Sequence, residues 1–343
     1  MKLSSLFTLC LCLLCALRAH SQSYDFVANG IYYNILDESQ QTLAVTHGDK
    51  TYTGNISIPA TLTHDGTTYN VTAVADWAFH ACPQLTAVTL PPGLTTIGNY
   101  AFADCTRLTT LQLPATLTTI GGGAFSGTAW LQNQGYGPVY AGSVLYTYKG
   151  SAPVGISLTL QSGTKGIATA ALSRQSGITT LNIPTSLQSL GEESLLGCAG
   201  LQTLILPRGI TQLPAMSLYN CQELQTLILP ETLSRISDYA LSHCTQLQEI
   251  VILRSTPPTI TATAFDEDTR KTAVLHIPMG SLNRYRTHPY WATFSHIVEI
   301  GGTIDDFYDR LKRGDMDEDG TITVNDITEL IRFYLDEAKR MLK

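Results

Sequence analysis

The chain has 343 residues, which is long enough for one extended domain and an accessory segment. It is 44% apolar and only 14% charged, as is typical of a globular protein, and its formal net charge is −7. Because the charge is negative and no basic tract occurs, the sequence excludes nucleic acid and anionic membrane as expected partners.

Residues 1–21 have the pattern of a secretory signal peptide. Lys2 precedes an apolar stretch over residues 6–17, and small residues near Ser21 suit cleavage. The apolar stretch is too short to span a bilayer, so we expect no transmembrane segment in the mature chain. A lipid-anchored alternative depends on cysteines in this stretch, but each of them follows Leu rather than a small residue. We therefore predict that the mature protein is exported, and is either secreted or held at the cell surface.

Residues 22–81 are predicted to form a β-rich N-terminal cap. The segment alternates apolar and polar residues and carries the turn dipeptides Asn29-Gly30 and Asp65-Gly66, which favour tight hairpins. A repeat array exposes apolar surface at its first unit, so we expect this segment to cover that end.

A pattern with a 23-residue period recurs over residues 82–300. Each full copy has Cys, then Leu-x-x-Leu-x-Leu-Pro, then a pair of apolar residues, and Cys198, Cys221 and Cys244 lie one period apart. Alternate leucines lie on one face of a short strand, and the proline ends its hydrogen bonding. A fixed period of this length predicts a β-rich solenoid, in which each unit buries its apolar face against its neighbours.

Two stretches interrupt or close this array. Residues 128–151 break the repeat with Trp130 and four tyrosines, and they are predicted to form a hairpin insertion. From about residue 254 the pattern degenerates into a predicted C-terminal cap. The sequence changes character again after Ile300, so residues 301–343 are predicted to form a separate module.

The repeat resembles the leucine-rich repeat superfamily, and specifically the BspA-like type of bacterial surface protein. The resemblance rests on the Leu-Pro after each strand, on Ile-Gly-x-x-Ala-Phe in two copies, and on the aromatic insertion before a second array. It covers about residues 24–300. The resemblance implies a leucine-rich repeat solenoid, and members of that family are associated with adhesion to host matrix proteins and to other cells.

Five cysteines follow the predicted leader, each at the same position of a repeat. Disulfides are a first expectation for an exported protein, and stacked repeats place equivalent atoms about 4.8 Å apart, within reach of a bridge. The number is odd, however, and parallel side chains that point into a core are poorly oriented for bridging. The pattern favours a ladder of buried free thiols. The five are Cys82, Cys105, Cys198, Cys221 and Cys244.

One row of strand positions between the buried leucines is predicted to face solvent. The row changes from polar to apolar along the chain, and a contiguous apolar row is a candidate contact site for a protein ligand. A β-branched residue also favours a strand without any ligand, so both interpretations stand. The row consists of Thr89, Gln112, Asn182, Ile205, Ile228 and Val251, of which the last three are the predicted binding residues.

The C-terminal module is predicted to be a small all-α helix–loop–helix with a calcium loop. Oxygen-bearing side chains occupy loop positions 1, 3 and 5, Gly320 occupies position 6 and a carboxylate occupies position 12. The other interpretation is an acidic turn between two helices. The predicted calcium ligands are Asp315, Asp317, Asp319, Thr321, Thr323 and Asp326.

The helices around this loop are predicted from apolar periodicity. An entering helix would place Ile304, Phe307, Tyr308 and Leu311 on its apolar face. An exiting helix over residues 326–341 would turn five apolar residues inward, namely Ile327, Leu330, Ile331, Tyr334 and Leu335. The module resembles an EF-hand, but Asp at position 12 is instead similar to type I dockerins. Dockerins carry two such loops and this sequence has one, which counts against docking to a cohesin. We expect a structural role for calcium, because extracellular calcium would keep even a weak site filled.

No residue pattern indicates a catalytic centre. The eight histidines form no pair at metal-ligand spacing, and neither a nucleophile elbow nor a phosphate-binding glycine loop occurs. Repeat arrays offer broad surfaces rather than dry pockets. We therefore expect no enzyme and predict no catalytic residue.

The favoured hypothesis is an exported binding protein that recognises a host matrix or cell-surface protein and carries structural calcium. The alternative is a subunit of an extracellular polysaccharide-handling assembly, docked through the calcium module. A glycan is a further candidate ligand, because the aromatic residues of the insertion could stack on sugar rings. Pairing of these side chains across the strands of the hairpin is the favoured interpretation.

Overall fold

The computed structural model describes residues 24–302, 309–310 and 324–341. The predicted signal peptide lies outside the described residues. The chain divides into two compact units, of which unit one comprises residues up to 114 with 123–133, and unit two comprises residues 115–122 with those from 134 onward.

The described part of unit one, from residue 24 onward, consists of short strands and one helical turn. The strands are β1 (Phe26–Ala28), β2 (Ile31–Asp37), β3 (Thr42–Thr46), β4 (Gly54–Ser57), β5 (Thr61–His64), β6 (Thr67–Val74), β7 (Leu85–Thr89), β8 (Thr96–Ile97) and β9 (Thr110–Gln112). The helix is α1 (Ala129–Gln132), and Thr128 caps it by accepting a hydrogen bond from the Leu131 amide.

The beginning of unit one is antiparallel and the repeats are parallel. Strands β1, β2 and β3 form a meander, β6 pairs parallel with β3 and antiparallel with β5, and β4, β7 and β9 form a separate parallel sheet. The predicted turns at Asn29-Gly30 and Asp65-Gly66 are present, with positive φ at all four residues. Such φ values are those of the tight turn that suits a hairpin.

Aromatic stacking shows the repeat geometry of unit one most directly. Phe79, Phe102 and Phe125 lie one period apart and are fully buried, with ring centroids 4.8 Å and 5.6 Å apart. Equivalent side chains therefore stack along the array, as a solenoid requires.

Unit two contains the second array and the C-terminal helix. Its strands are β10 (Thr119–Ile120), β11 (Gly137–Ala141), β12 (Val144–Lys149), β13 (Ile156–Thr159), β14 (Gly166–Ile167), β15 (Ile178–Asn182), β16 (Ser189–Leu190), β17 (Thr203–Ile205), β18 (Gln212–Leu213), β19 (Thr226–Leu229), β20 (Arg235–Ile236), β21 (Glu249–Ile252), β22 (Thr259–Ile260), β23 (Val274–Pro278) and β24 (His296–Ile300). Its helices are α2 (Glu267–Thr272), α3 (Leu282–Thr287), a 3₁₀ turn (Trp291–Thr293) and α4 (Val324–Met341).

Each repeat of unit two contributes one longer and one two-residue strand. The longer strands form a seven-stranded sheet in the order β13-β15-β17-β19-β21-β23-β24. The short strands β14 and β16 share a sheet with β11 and β12, and β18, β20 and β22 form a third sheet. Thr203 pairs with Thr226 and Thr226 with Glu249, so successive strands are in register at the sequence period. The predicted solenoid with a 23-residue period is confirmed.

The interval 128–151 contains a hairpin. Strands β11 and β12 pair antiparallel, and β12 then pairs parallel with β14 of the next repeat. The hairpin therefore joins the ladder of short strands in unit two.

All five cysteines after the leader are free and buried, as the sequence predicts. The Cys198 thiol donates a hydrogen bond to the carbonyl oxygen of Leu172 over 3.1 Å, and the thiols of Cys221 and Cys244 donate equivalently one repeat further on. Each thiol satisfies a backbone carbonyl of the preceding repeat.

Candidate recognition surface

The outward face of the seven-stranded sheet carries the row predicted from the sequence. Register places Ile205 beside Ile228, Ile228 beside Val251, and Val251 beside His276. Side chains at matching positions of in-register parallel strands project to the same side of a sheet. The inward neighbours are the core leucine and isoleucine residues beneath. We call Ile205, Ile228 and Val251 the apolar strip.

The expectation that the apolar strip faces solvent is wrong. Ile228 and Val251 are fully buried, and Ile205 is partly buried against the same cluster. The cover is helix α4, whose Leu330, Ile331 and Tyr334 belong to one buried apolar cluster with the strip. A role for these three strip residues in binding a separate protein stays a prediction.

The apolar strip is covered because α4 is amphipathic and has an apolar face to bury. Leu330, Ile331 and Tyr334 are buried and Leu335 is half-buried, whereas Glu329 and Arg332 are exposed. A helix with an apolar stripe must bury it, and burying each such side chain contributes about 1.5–3 kcal/mol before entropy is counted. The inward orientation predicted for Leu330, Ile331 and Tyr334 is confirmed. Ile327 lies outside the described side chains.

Sequence reasoning found both surfaces but did not pair them. The apolar strip and the apolar face of α4 were each recognised without a partner, and Leu253 and Ile300 were not assigned to either. One feature of the sequence indicated the pairing, namely that the row is apolar in a few adjacent repeats only. An apolar patch of limited extent and a helix with an apolar face could each bury the other.

Two glycines allow α4 to approach the end of β24. A Cβ at Gly301 would lie 2.7 Å from the Ala338 nitrogen, and a Cβ at Gly302 would lie 2.3 Å from a ring carbon of Tyr334. Gly302 also has a φ of +78°, in the left-handed region that favours glycine. The close contact between strand end and helix therefore depends on these two residues.

A polar pair adjoins the strip on its β23 side. The Nε2 atom of His276 lies 2.5 Å from Oε2 of Glu249, and their side chains are 3% and 30% exposed. The other imidazole nitrogen, Nδ1, is buried and has no hydrogen-bond partner among the described residues. The outward row of the sheet thus continues from the apolar strip into a polar pair whose imidazole is buried.

The β13 side of the same sheet is polar and uncovered. Ser157, Thr159 and Asn182 are exposed, and the Asn182 amide donates to the hydroxyls of the other two over 3.2 Å and 3.0 Å. In unit one, the Thr89 hydroxyl donates to the Gln112 side-chain oxygen over 3.1 Å in the same way. The exposed outward positions offer hydroxyl and amide groups for hydrogen bonding.

Most predicted calcium ligands lie outside the described residues, namely Asp315, Asp317, Asp319, Thr321 and Thr323. Asp326 lies in the first turn of α4, although its side chain is not described. Among the residues that the structure does describe, no group of three or more His, Cys, Asp or Glu side chains is placed to hold a metal ion. Within the same part of the chain, no helix is long and apolar enough to cross a membrane.

The family of the chain follows from its repeats. The model of the BspA type leucine-rich repeat region matches residues 55–136 and 156–284, in six copies. These ranges make up more than half of the chain. The chain belongs to the family of BspA-type leucine-rich repeat proteins.

Solved structures of similar proteins are distant. A leucine-rich repeat protein from Bacteroides ovatus is 21% identical, covering 81% of this chain and 77% of that chain, with a TM-score of 0.34. A leucine-rich cell surface protein from Faecalibacterium prausnitzii is 18% identical (82% and 96% covered, TM-score 0.35). The pneumococcal vaccine antigen PcpA is 14% identical (81% and 98% covered, TM-score 0.38). These values carry no argument about function. The comparison with curated proteins gives no match.

Proposed function

We propose that this protein is an exported, non-catalytic binding protein that recognises a host matrix or cell-surface protein through the outward face of its repeat sheets. One observation carries the proposal: in a BspA-type repeat protein, adjacent strands display exposed, hydrogen-bonding side chains at Ser157, Thr159 and Asn182. A stacked array repeats such groups at strand spacing, about 4.8 Å. It thereby presents an extended surface suited to a macromolecule.

Secretion or attachment to the cell surface is part of the proposal. It is supported by the leader pattern of residues 1–21. One of the similar solved structures is described as a cell surface protein, which agrees with this location but is a statement about that protein. Leucine-rich repeat proteins of this family are generally built for binding, and the proposal includes no enzymatic activity.

Calcium binding by the loop 315–326 is likewise a proposal. It is supported by the ligand pattern of the sequence and by the start of α4 at Val324, which places Asp326 in the first helical turn. A negative charge in the first turn of a helix is favoured by the helix dipole, and a carboxylate is also a ligand that calcium prefers. The ion would stabilise the segment that leads into α4.

The test of recognition uses the mature chain, residues 22–343. The chain is immobilised and presented with purified matrix proteins and with a glycan array, with and without calcium. We expect a protein ligand, with binding weakened at least tenfold by the double substitution Thr159→Arg and Asn182→Arg. The control Gln246→Arg alters an exposed turn residue and should leave binding unchanged. Absence of any protein ligand, equal loss in the control, or turnover of a glycan would overturn the proposal.

A further inference from the structure

Two exposed aromatic rings lie against each other in unit one, in the turns that follow β6 and β8. The rings of Trp77 and Tyr100 are stacked, with centroids 4.4 Å apart and an angle of 19° between their planes. Trp77 is 45% exposed and Tyr100 is 43% exposed. We call these two residues the aromatic pair. Together they form an aromatic surface that remains in contact with water.

The repeat does not require aromatic side chains at this position. Trp77, Tyr100 and Gly123 lie one period apart, and all three have positive φ, at 61°, 52° and 63°. Such a backbone favours glycine and is costly for a bulky residue. The aromatic pair therefore strains its backbone while nearly half of each side chain stays outside the core. Strained residues that the fold does not need are characteristic of functional sites.

Hydrogen-bonding groups border the aromatic pair. The Asp76 carboxylate accepts hydrogen bonds from the Asn99 backbone amide over 2.6 Å and from its side-chain amide over 3.4 Å. The His80 ring lies against Trp77 with centroids 4.8 Å apart, and its Nε2 atom is 3.5 Å from Oδ2 of Asp104. Asp76, Asn99 and Asp104 are exposed, and His80 is half-buried. The aromatic surface is thus bordered by both hydrogen-bond donors and acceptors.

We propose that the aromatic pair is a binding site for a neutral carbohydrate. One face of a pyranose ring carries mainly C–H groups, which pack favourably on the negatively polarised surface of an aromatic ring. The hydroxyl groups around the sugar both donate and accept hydrogen bonds, as the carboxylate, amide and imidazole groups beside the pair require. The site consists of other residues than the polar strands of unit two, so this inference does not rest on the proposed protein recognition.

A cationic ligand fits the same residues less well. Aromatic rings and carboxylates also attract an ammonium or guanidinium group, but such a group only donates hydrogen bonds. It would leave the N–H donors of Asn99 and His80 without a use. The carboxylates of Asp76 and Asp104 are, moreover, already paired with these two side chains. Mixed donors and acceptors of this kind suit neutral hydroxyl groups.

The aromatic pair is held in place by the repeats beneath it. The Trp77 amide donates to the Asn99 carbonyl oxygen over 2.9 Å, and the Trp77 carbonyl oxygen accepts from the His80 amide over 3.1 Å. Gly123 leaves room for the Tyr100 ring, since a Cβ at Gly123 would lie 2.6 Å from a carbon of that ring. A surface that is already fixed loses little conformational entropy when a ligand binds.

The test uses the full mature chain, residues 22–343, in isothermal titration calorimetry. The probes are neutral hexasaccharides of glucose, of mannose and of galactose, titrated separately, and a lysine hexapeptide as the cationic probe. We expect at least one hexasaccharide to bind. Trp77→Ala and Tyr100→Ala should each weaken this binding by about tenfold, at the lower end of what loss of one aromatic ring costs a stacked ligand.

Tyr239→Ala is the matched control. Tyr239 occupies the equivalent position of a later repeat, is also 43% exposed and has a φ of 55°. Its equivalent one repeat earlier is Met216, so the sequence provides no aromatic pair there. This variant should leave hexasaccharide affinity unchanged.

Tryptophan fluorescence gives a second measurement, which the unsubstituted chain can supply. Trp77 is exposed, whereas Trp130 is half-buried and Trp291 is fully buried. Bound hexasaccharide should therefore shield Trp77 from quenching by acrylamide. Trp77→Phe keeps a ring at this position, so it should retain most of the binding while the change in quenching disappears.

The inference is overturned if no hexasaccharide binds, if binding persists in both alanine variants, or if Tyr239→Ala loses as much affinity as they do. Binding of the lysine hexapeptide at the aromatic pair in place of the sugars would also overturn it. If an alanine variant fails to fold, the quenching measurement on the unsubstituted chain replaces it, and absence of shielding then counts against the site. The Thr159→Arg and Asn182→Arg test concerns unit two and is independent of these outcomes.

Discussion

The backbone amide of Gly301 donates a hydrogen bond to the carbonyl oxygen of Tyr334 over 3.0 Å. The residue that follows the last strand of the sheet therefore touches the C-terminal helix directly. A Cβ on either Gly301 or Gly302 would enter the space that the helix occupies. The helix and the sheet are thus fitted to one another at the backbone as well as through the apolar strip.

Substitution of Gly302 is predicted to loosen α4. Gly302→Ala adds a Cβ 2.3 Å from the Tyr334 ring and strains a backbone at φ +78°. The backbone strain alone costs about 1–2 kcal/mol, and the clash adds to it. We expect amide exchange over residues 324–341 to accelerate, with the repeat strands unchanged.

Gly280→Ala is the matched control. Gly280 has the same φ of +78°, but a Cβ there meets nothing within 4 Å. It should reproduce the backbone cost without freeing α4. Equal exchange of α4 in the two variants would show that the ring contact contributes nothing.

Tyr33 is predicted to make unit one less stable as the pH rises above 10. Its side chain is fully buried, its hydroxyl has no hydrogen-bond partner among the described residues, and burial raises its pKa from 10.0 to about 12. Above pH 10 the hydroxyl of Tyr33 keeps its proton in the folded state but loses it in the unfolded chain. The contribution of Tyr33 to the free energy of unfolding is therefore fully present below pH 10. It falls by about 1.4 kcal/mol per pH unit as the pH rises towards 12.

Tyr33→Phe isolates this effect. The variant removes an unsatisfied buried hydroxyl, so we expect it to be as stable as the wild type at pH 7 or more stable, by up to about 1–2 kcal/mol. Its stability should also fall less between pH 10 and 12. Denaturant unfolding at several pH values measures both quantities, and Tyr136→Phe at an exposed position is the control. Parallel pH profiles for the wild type and Tyr33→Phe would contradict the assignment.

The buried thiols of Cys105, Cys198 and Cys221 are predicted to be chemically silent in the folded chain, because the pKa of each is raised. Burial raises the pKa of Cys198 from 9.0 to about 12, and its thiol proton is held by the Leu172 carbonyl. Because the thiolate is the reactive form, the shift alone slows reaction at pH 8 about 10³-fold, before steric protection is counted. A chromogenic disulfide reagent followed by peptide mapping should find these three thiols unreacted until the chain is unfolded in guanidinium. Cys82 is the exception, because its hydrogen bond with Cys105 lowers its pKa to about 7. Rapid reaction of Cys198 in the native chain would exclude the buried ladder.

The repeats were predictable from sequence because their signals are local. The spacing from Cys198 to Cys221 and the leucines between them define strand, turn and core within one period. The alternation along β19 likewise places Ile228 on the outward face. Helix α1 was missed because its signal, a Thr128 cap followed by four residues, is too short to show a helical period.

The burial of the apolar strip was not predictable in this way. It depends on the packing of Ile228 and Tyr334 into one apolar cluster, although the two lie far apart in the chain and belong to elements with different periods. Strand alternation tells which side a residue faces, but not what lies on that side. A surface helix also shows which face must be buried without showing where.

Calcium is predicted to control the order of α4, since the proposed loop of residues 315–326 leads directly into the helix that begins at Val324. A ligand that binds only the folded state stabilises it by about 2.7 kcal/mol at a concentration one hundred times its dissociation constant. Chelation should therefore accelerate amide exchange over residues 324–341, while the exchange of β13 and β15 stays unchanged.

Asp317→Asn should produce the same acceleration at millimolar calcium, because it removes one charged ligand. Glu329→Gln, at an exposed position of α4 outside the loop, is the control. If exchange of α4 in the wild-type chain is the same with and without a chelator, the loop does not use calcium to hold the helix on the strip.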